Sequence, residues 1–120
     1  MSRTLRTARD AGARFERSIA DALALHLDDD RIDRRPRNGA KDRGDIGGWR
    51  YAGMRIVAEC KNTARLALSA WVEEAEIERR NDDAHIGLVI HKRIGRADPL
   101  EQYVTMTVRE LLTLMKGARP

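Results

Sequence analysis

Apolar positions recur along this chain with two periods. Over residues 8 to about 27, Ile19, Ala20, Leu23 and Leu27 fall at helical spacing, Phe15 widens the stripe, and Glu16 lies on it. Residues 54–61 (MRIVAECK) read as a strand that turns Glu59 and Lys61 to one face and Ala58 and Cys60 to the other. Residues 84–92 (AHIGLVIHK) read as a second central strand, with Ile86, Leu88 and Ile90 on one face and Gly87, Val89 and His91 on the other. An apolar run of this kind suits a strand buried on both faces. Between these strands, residues 68 to about 80 predict a helix with Leu68, Trp71, Val72 and Ala75 inward and its glutamates outward.

Shorter signals complete the order. Residues 31–35 predict a first strand and residues 102–106 a last one. Asp45-Ile46-Gly47 ends a second short strand, and residues 48–53 (GWRYAG) read as the hairpin connection into 54–61. Thr107-Val108-Arg109-Glu110 is a capping box that opens a final helix, with Val108, Leu111, Leu112 and Met115 inward and Gly117 at its end. The predicted order is α-β-β-β-α-β-β-α: an α/β fold with a mixed central sheet flanked by helices. Asp28-Asp29-Asp30 is a turn, residues 36–44 form a loop rich in turn residues, and residues 1 to about 6 form a loose basic arm on a single domain.

Charge changes the picture more than composition does. The chain has 120 residues, 42% hydrophobic and 35% charged, with a net charge of +4, ordinary for one globular domain with a mild bias toward nucleic acid. Arg3, Arg6, Arg9, Arg14 and Arg17 load the start of the chain, and Arg31, Arg34, Arg35, Arg37, Lys41 and Arg43 load the approach to Asp45. Clustering beside carboxylates favours a phosphate-binding rim over a merely solvated face. Cys60 is the one cysteine, so no internal disulfide forms, and its expected role is a small buried thiol. The chain shows neither an apolar run of about 18 residues nor a signal-peptide core, which points to a cytoplasmic setting.

The chemistry gathers at residues 45–61. If the hairpin closes, Asp45 comes beside Glu59, and two carboxylates and the Lys61 ammonium share a small volume. Carboxylate oxygens suit Mg²⁺, which keeps waters and takes phosphate oxygens as further ligands. Lys61 would orient or help deprotonate a water, or offset charge on a phosphate. Glu16 either pairs with an arginine at the helix edge or points at this cluster. Lys92 and Arg93, at the end of the second central strand, are candidates for phosphate contact, while His91 and Trp71 read as structural.

Asp45 with Glu59-Cys60-Lys61 resembles the PD-(D/E)XK nuclease superfamily, with Gly44 where the loose motif has proline. Gly12-Ala13-Arg14-Phe15-Glu16-Arg17 resembles the first-helix signature of archaeal-type Holliday-junction resolvases, a kind also encoded by phages. Arg35-Pro36-Arg37-Asn38-Gly39 resembles their DNA-contacting loop, with Asn38 where a serine is common. The resemblance spans residues 12 to 106. It implies a restriction-endonuclease-like core and a Mg²⁺-dependent endonuclease, Mn²⁺ substituting, that cuts branched DNA as a C2 homodimer. It also implies metal ligation by Asp45, Glu59 and the Cys60 backbone carbonyl, with Glu16 completing the acidic cluster and Lys61 positioning water. Arg3, Arg6, Arg9, Arg17, Arg35, Arg37, Asn38, Lys41, Arg43, Lys92 and Arg93 would contact DNA. The rivals are another nuclease of the same superfamily, which shares every catalytic residue, and a DNA-binding module without catalysis.

Overall fold

A computed structural model describes residues 4–36 and 42–120. Helix α1 (Leu5–His26) opens it, capped by Thr4, whose hydroxyl accepts from the Thr7 N–H at 3.1 Å. The cap starts the helix earlier than expected, so Arg6 is helical rather than part of a loose arm. Then follow β1 (Asp33–Arg34), β2 (Ile46–Tyr51), β3 (Met54–Lys61), α2 (Leu68–Asn81), β4 (Ile86–His91), β5 (Tyr103–Thr105) and α3 (Val108–Lys116). The observed order is the one predicted, and β3 keeps its predicted bounds. Among the described residues no helix is long and apolar enough to cross a membrane.

The five strands form one mixed sheet in chain order, with β3 and β4 parallel and the other pairs antiparallel. A parallel pair needs a crossover, and α2 supplies it. One face of the sheet carries Ile46, Ile56, Ala58, Ile86, Leu88 and Ile90, which pack on Phe15, Ile19 and Ala20 of α1. The other face carries Val89 against Trp71 and Ala75 of α2. The even and odd positions of β3 and β4 therefore sort as their alternation predicts. Leu27, expected on the α1 stripe, is instead exposed beyond the helix end.

Two local readings need correction. The hairpin between β2 and β3 turns on Ala52 and Gly53 alone, both at positive φ (51° and 80°), the geometry of a type I′ turn. Gly48, expected in the connection, instead joins Gly47 in a bulge inside β2, where the register shifts between Ile46 and Trp49. A Cβ on Gly48, at φ 74°, would run into the Arg31 carbonyl, so glycine is required for β1 to cross here. In α3 the inward positions are Glu110, Thr113 and, in part, Leu114, while Val108, Leu111, Leu112 and Met115 are exposed. The helix is rotated because Glu110 is drawn inward: its carboxylate accepts the Gly87 N–H at 3.0 Å and pairs with Arg119 at 2.9 Å. That carboxylate is thereby taken from the capping box, of which the Thr107 half remains.

A buried ionic node ties the segment before β2 to the end of α2. Asp82, its side chain 2% exposed, pairs with Arg35 at 3.0 Å and Arg55 at 2.9 Å. Arg35 also donates to the Arg43 carbonyl at 2.8 Å. Removing the anion would strand two cations that keep partial access to water, which moderates the cost of breaking a buried pair. Asp82→Ala should therefore lower unfolding stability by about 2 kcal/mol in urea titrations, and a loss under about 0.5 kcal/mol would refute this role for the node.

Candidate functional site

Glu16, Asp45, Glu59, Cys60 and Lys61 all line one cleft of about 880 Å³ between α1 and the ends of β2 and β3. Asp45 is held by its backbone on two sides: its N–H donates to the Ala58 carbonyl at 2.9 Å, and its carbonyl accepts from the Arg35 N–H at 2.8 Å. Its Oδ2 accepts from the Cys60 N–H at 2.8 Å. The next carbonyl along β3, that of Lys61, accepts from the Lys92 N–H on the opposite side. Successive residues of a strand alternate their hydrogen-bonding sides, so the Cys60 carbonyl shares the Asp45 side with its N–H.

Glu59 and Lys61 occupy one face of β3, as alternation requires, with Nζ of Lys61 3.9 Å from Glu59 Oε1. The shorter contact of Lys61 is to Glu74 on α2, at 2.7 Å. Burial pulls the ammonium pKa down, but the Glu74 hydrogen bond and the nearby carboxylates override it, leaving Lys61 above its ordinary value. It is a cation at neutral pH. Both readings of Glu16 hold together: Oε2 lies 3.4 Å from Arg34, and its pKa is raised by burial and by the charge of Asp45.

Glu78 was missed. It was assigned to the outer face of its helix, yet it is 3% exposed and faces Glu59. The signal was present: Trp71, Ala75, Glu78 and Asp82 follow one another at spacings of four, three and four, a single helical stripe, and all four are buried. Asp42 joins them, so that Asp42, Glu59 and Glu78 offer oxygens that lie within 4.8 Å of one another. Burial drives Glu59 far above the carboxylate range and Glu78 up to about 7, with the neighbouring carboxylates contributing. Burial likewise raises the Cys60 thiol, which excludes a thiolate at neutral pH.

The basic residues divide by what already holds them. Arg3, Arg37, Asn38 and Lys41 lie outside the described residues. Arg35 is committed to Asp82 and Arg43, which makes it a fastener of the segment. Arg17 bridges Asp21 and Asp33 on the surface. Arg6, Arg9 and Arg43 are exposed, and Arg9 lines the cleft. Lys92 donates to the Arg93 and Arg96 carbonyls, while Arg93 pairs with Glu101 at 3.5 Å and lies over the Tyr103 ring. His91 is buried between Trp71 and Tyr103 and bonds Thr105 at 2.7 Å, in keeping with a structural histidine.

The raised carboxylates set a pH dependence. The folded chain holds the Glu78 proton more tightly than the unfolded chain does. That stabilisation is therefore complete below about pH 4.5 and is lost as pH rises through about 7. In chelator, Glu78→Gln should gain on the parent chain across this window, with the Tm difference widening by about 4 °C or more. A Tm difference that does not change with pH in thermal melts would refute the buried-charge account. No family model, curated protein or solved structure matches this chain.

Proposed function

We propose that this chain is a metal-dependent endonuclease of the PD-(D/E)XK kind that hydrolyses DNA phosphodiesters with Mg²⁺, and that it acts on branched DNA as a Holliday-junction resolvase. The observation that carries the reading is the placement of Asp45, Glu59 and Lys61 at one strand end, with Glu16 in the same cleft. The donor set fits a hard divalent ion. Glu59 Oε2 is buried with no hydrogen-bond partner among the described residues, and Asp45 stands beside the edge of β3 from which the Cys60 carbonyl projects. Asp45, Glu59 and that carbonyl would hold the ion, and Glu16 would complete the acidic set.

When bound, the ion supplies Lewis acidity and a more acidic water. The chain's own residues do the rest. Lys61, a cation at neutral pH, offsets negative charge on the phosphate and orients water; it does not act as a base. Glu74 holds its amine until phosphate competes for it. Arg9 and Arg43 supply phosphate contacts beside the cleft. A second copy would bring the second cut, and the exposed apolar face of α3 offers it a surface.

Asp45→Asn and Glu59→Gln should each lower Mg²⁺-dependent cleavage by about a hundred-fold or more while DNA affinity stays within a few-fold. Cleavage that survives in either variant, in preparations free of host nuclease, would overturn the assignment. Arg9→Ala with Arg43→Ala should reduce the slope of log affinity against log salt by about 2. Competition binding tests the finer reading: a four-way junction should outcompete duplex of equal length, and parity would leave a nuclease without junction preference.

A further inference from the structure

The cleft chemistry uses Glu59 but makes no use of Glu78 or Asp42, and these three side chains come from three separate segments of the chain. Glu78 Oε2 and Glu59 Oε2 are both buried without a hydrogen-bond partner among the described residues, on side chains whose residues are 3% and 7% exposed. Among the described residues no Lys or Arg nitrogen lies within 4.0 Å of Glu78 or Asp42, and of the three carboxylates Lys61 reaches Glu59 alone, at 3.9 Å, while its 2.7 Å partner is Glu74. Ionised carboxylates are acceptors alone, so oxygens gathered this way need either shared protons or a cation among them. Their mutual separations, all within 4.8 Å, are no wider than the distance of about 4.8 Å between opposite oxygens around one Ca²⁺.

We infer that Asp42, Glu59 and Glu78 form a site for a hard divalent cation, which clamps the segment before β2 to α2 and shares Glu59 with the cleft. Gly44 turns the segment at this point. Its φ of 91°, a conformation that residues with a side chain rarely adopt, carries the chain past Glu78, and its N–H donates to Asp42 Oδ1 at 2.9 Å. The site does not depend on the nuclease reading, since it needs only the three carboxylates.

The test uses Mn²⁺ alone as probe, by titration calorimetry on the full chain carrying Asp45→Asn, so that the cleft set lacks one carboxylate. This variant should still bind Mn²⁺. Adding Glu78→Gln should weaken that binding about ten-fold or more, since losing a ligand should cost at least as much as losing an outer partner. Glu78→Gln is nearly isosteric and removes charge repulsion, and circular dichroism verifies its fold. Undiminished Mn²⁺ binding after Glu78→Gln would overturn the site and leave a shared proton as the occupant. Absence of any Mn²⁺ binding to Asp45→Asn would overturn it too. Glu78-dependent Mn²⁺ binding by a parent chain that cleaves no DNA would support this site while overturning the nuclease reading.

Discussion

The parallel pairing of β3 with β4 is the constraint from which the rest follows. Two parallel neighbours cannot be joined by a tight turn, so the chain must cross the sheet, and it does so through α2. The crossover covers the face on which Glu59 and Lys61 stand. It brings Trp71 and Ala75 down as apolar cover, and with them Glu74 onto Lys61 and Glu78 onto Glu59. A hairpin in place of the crossover would have left that face open to water, with carboxylates of ordinary acidity. The electrostatic tension of the site is thus a product of topology as much as of residue choice.

That tension is uneven. At the Lys61 end, positive and negative charges are matched, and Glu74 adds a partner in reach of solvent. At the Glu78 end, the buried Glu59 and Glu78 face one another, with the exposed Asp42 at the rim. A protein that retains such an arrangement forgoes stability there, because apolar residues of similar volume would pack at lower cost. Chemistry is a common reason for such a concession, since perturbed groups gather where a charge is to be handled.

Strand alternation was legible in the sequence because it needs only local information. Ile56, Ala58 and Cys60 against Val57, Glu59 and Lys61 sort by parity alone, and the β3 bounds follow from the apolar run. The turn between β2 and β3 was misjudged because glycine marks both turns and bulges. Only the carbonyl of Arg31, distant in sequence, decides that Gly48 is a bulge residue. The rotation of α3 was likewise hidden: hydrophobic spacing turned Leu111, Leu112 and Met115 inward, and a buried hydrogen bond from the Gly87 N–H to the Glu110 carboxylate outweighed it. Glu16 and Glu78 make an instructive pair. Each sits on an apolar helical stripe, yet only the first was read as inward, because the second is surrounded by glutamates that do face water.

The edges of the sheet have a consequence for self-association. β1 offers two residues and β5 three, and β1 is further crowded by the bulge it crosses. Such short borders give an incoming strand little to register against, which guards the long apolar strands within from templated aggregation. Growth of the sheet from one molecule into the next is thereby disfavoured, and any association of copies would fall to the helical surfaces.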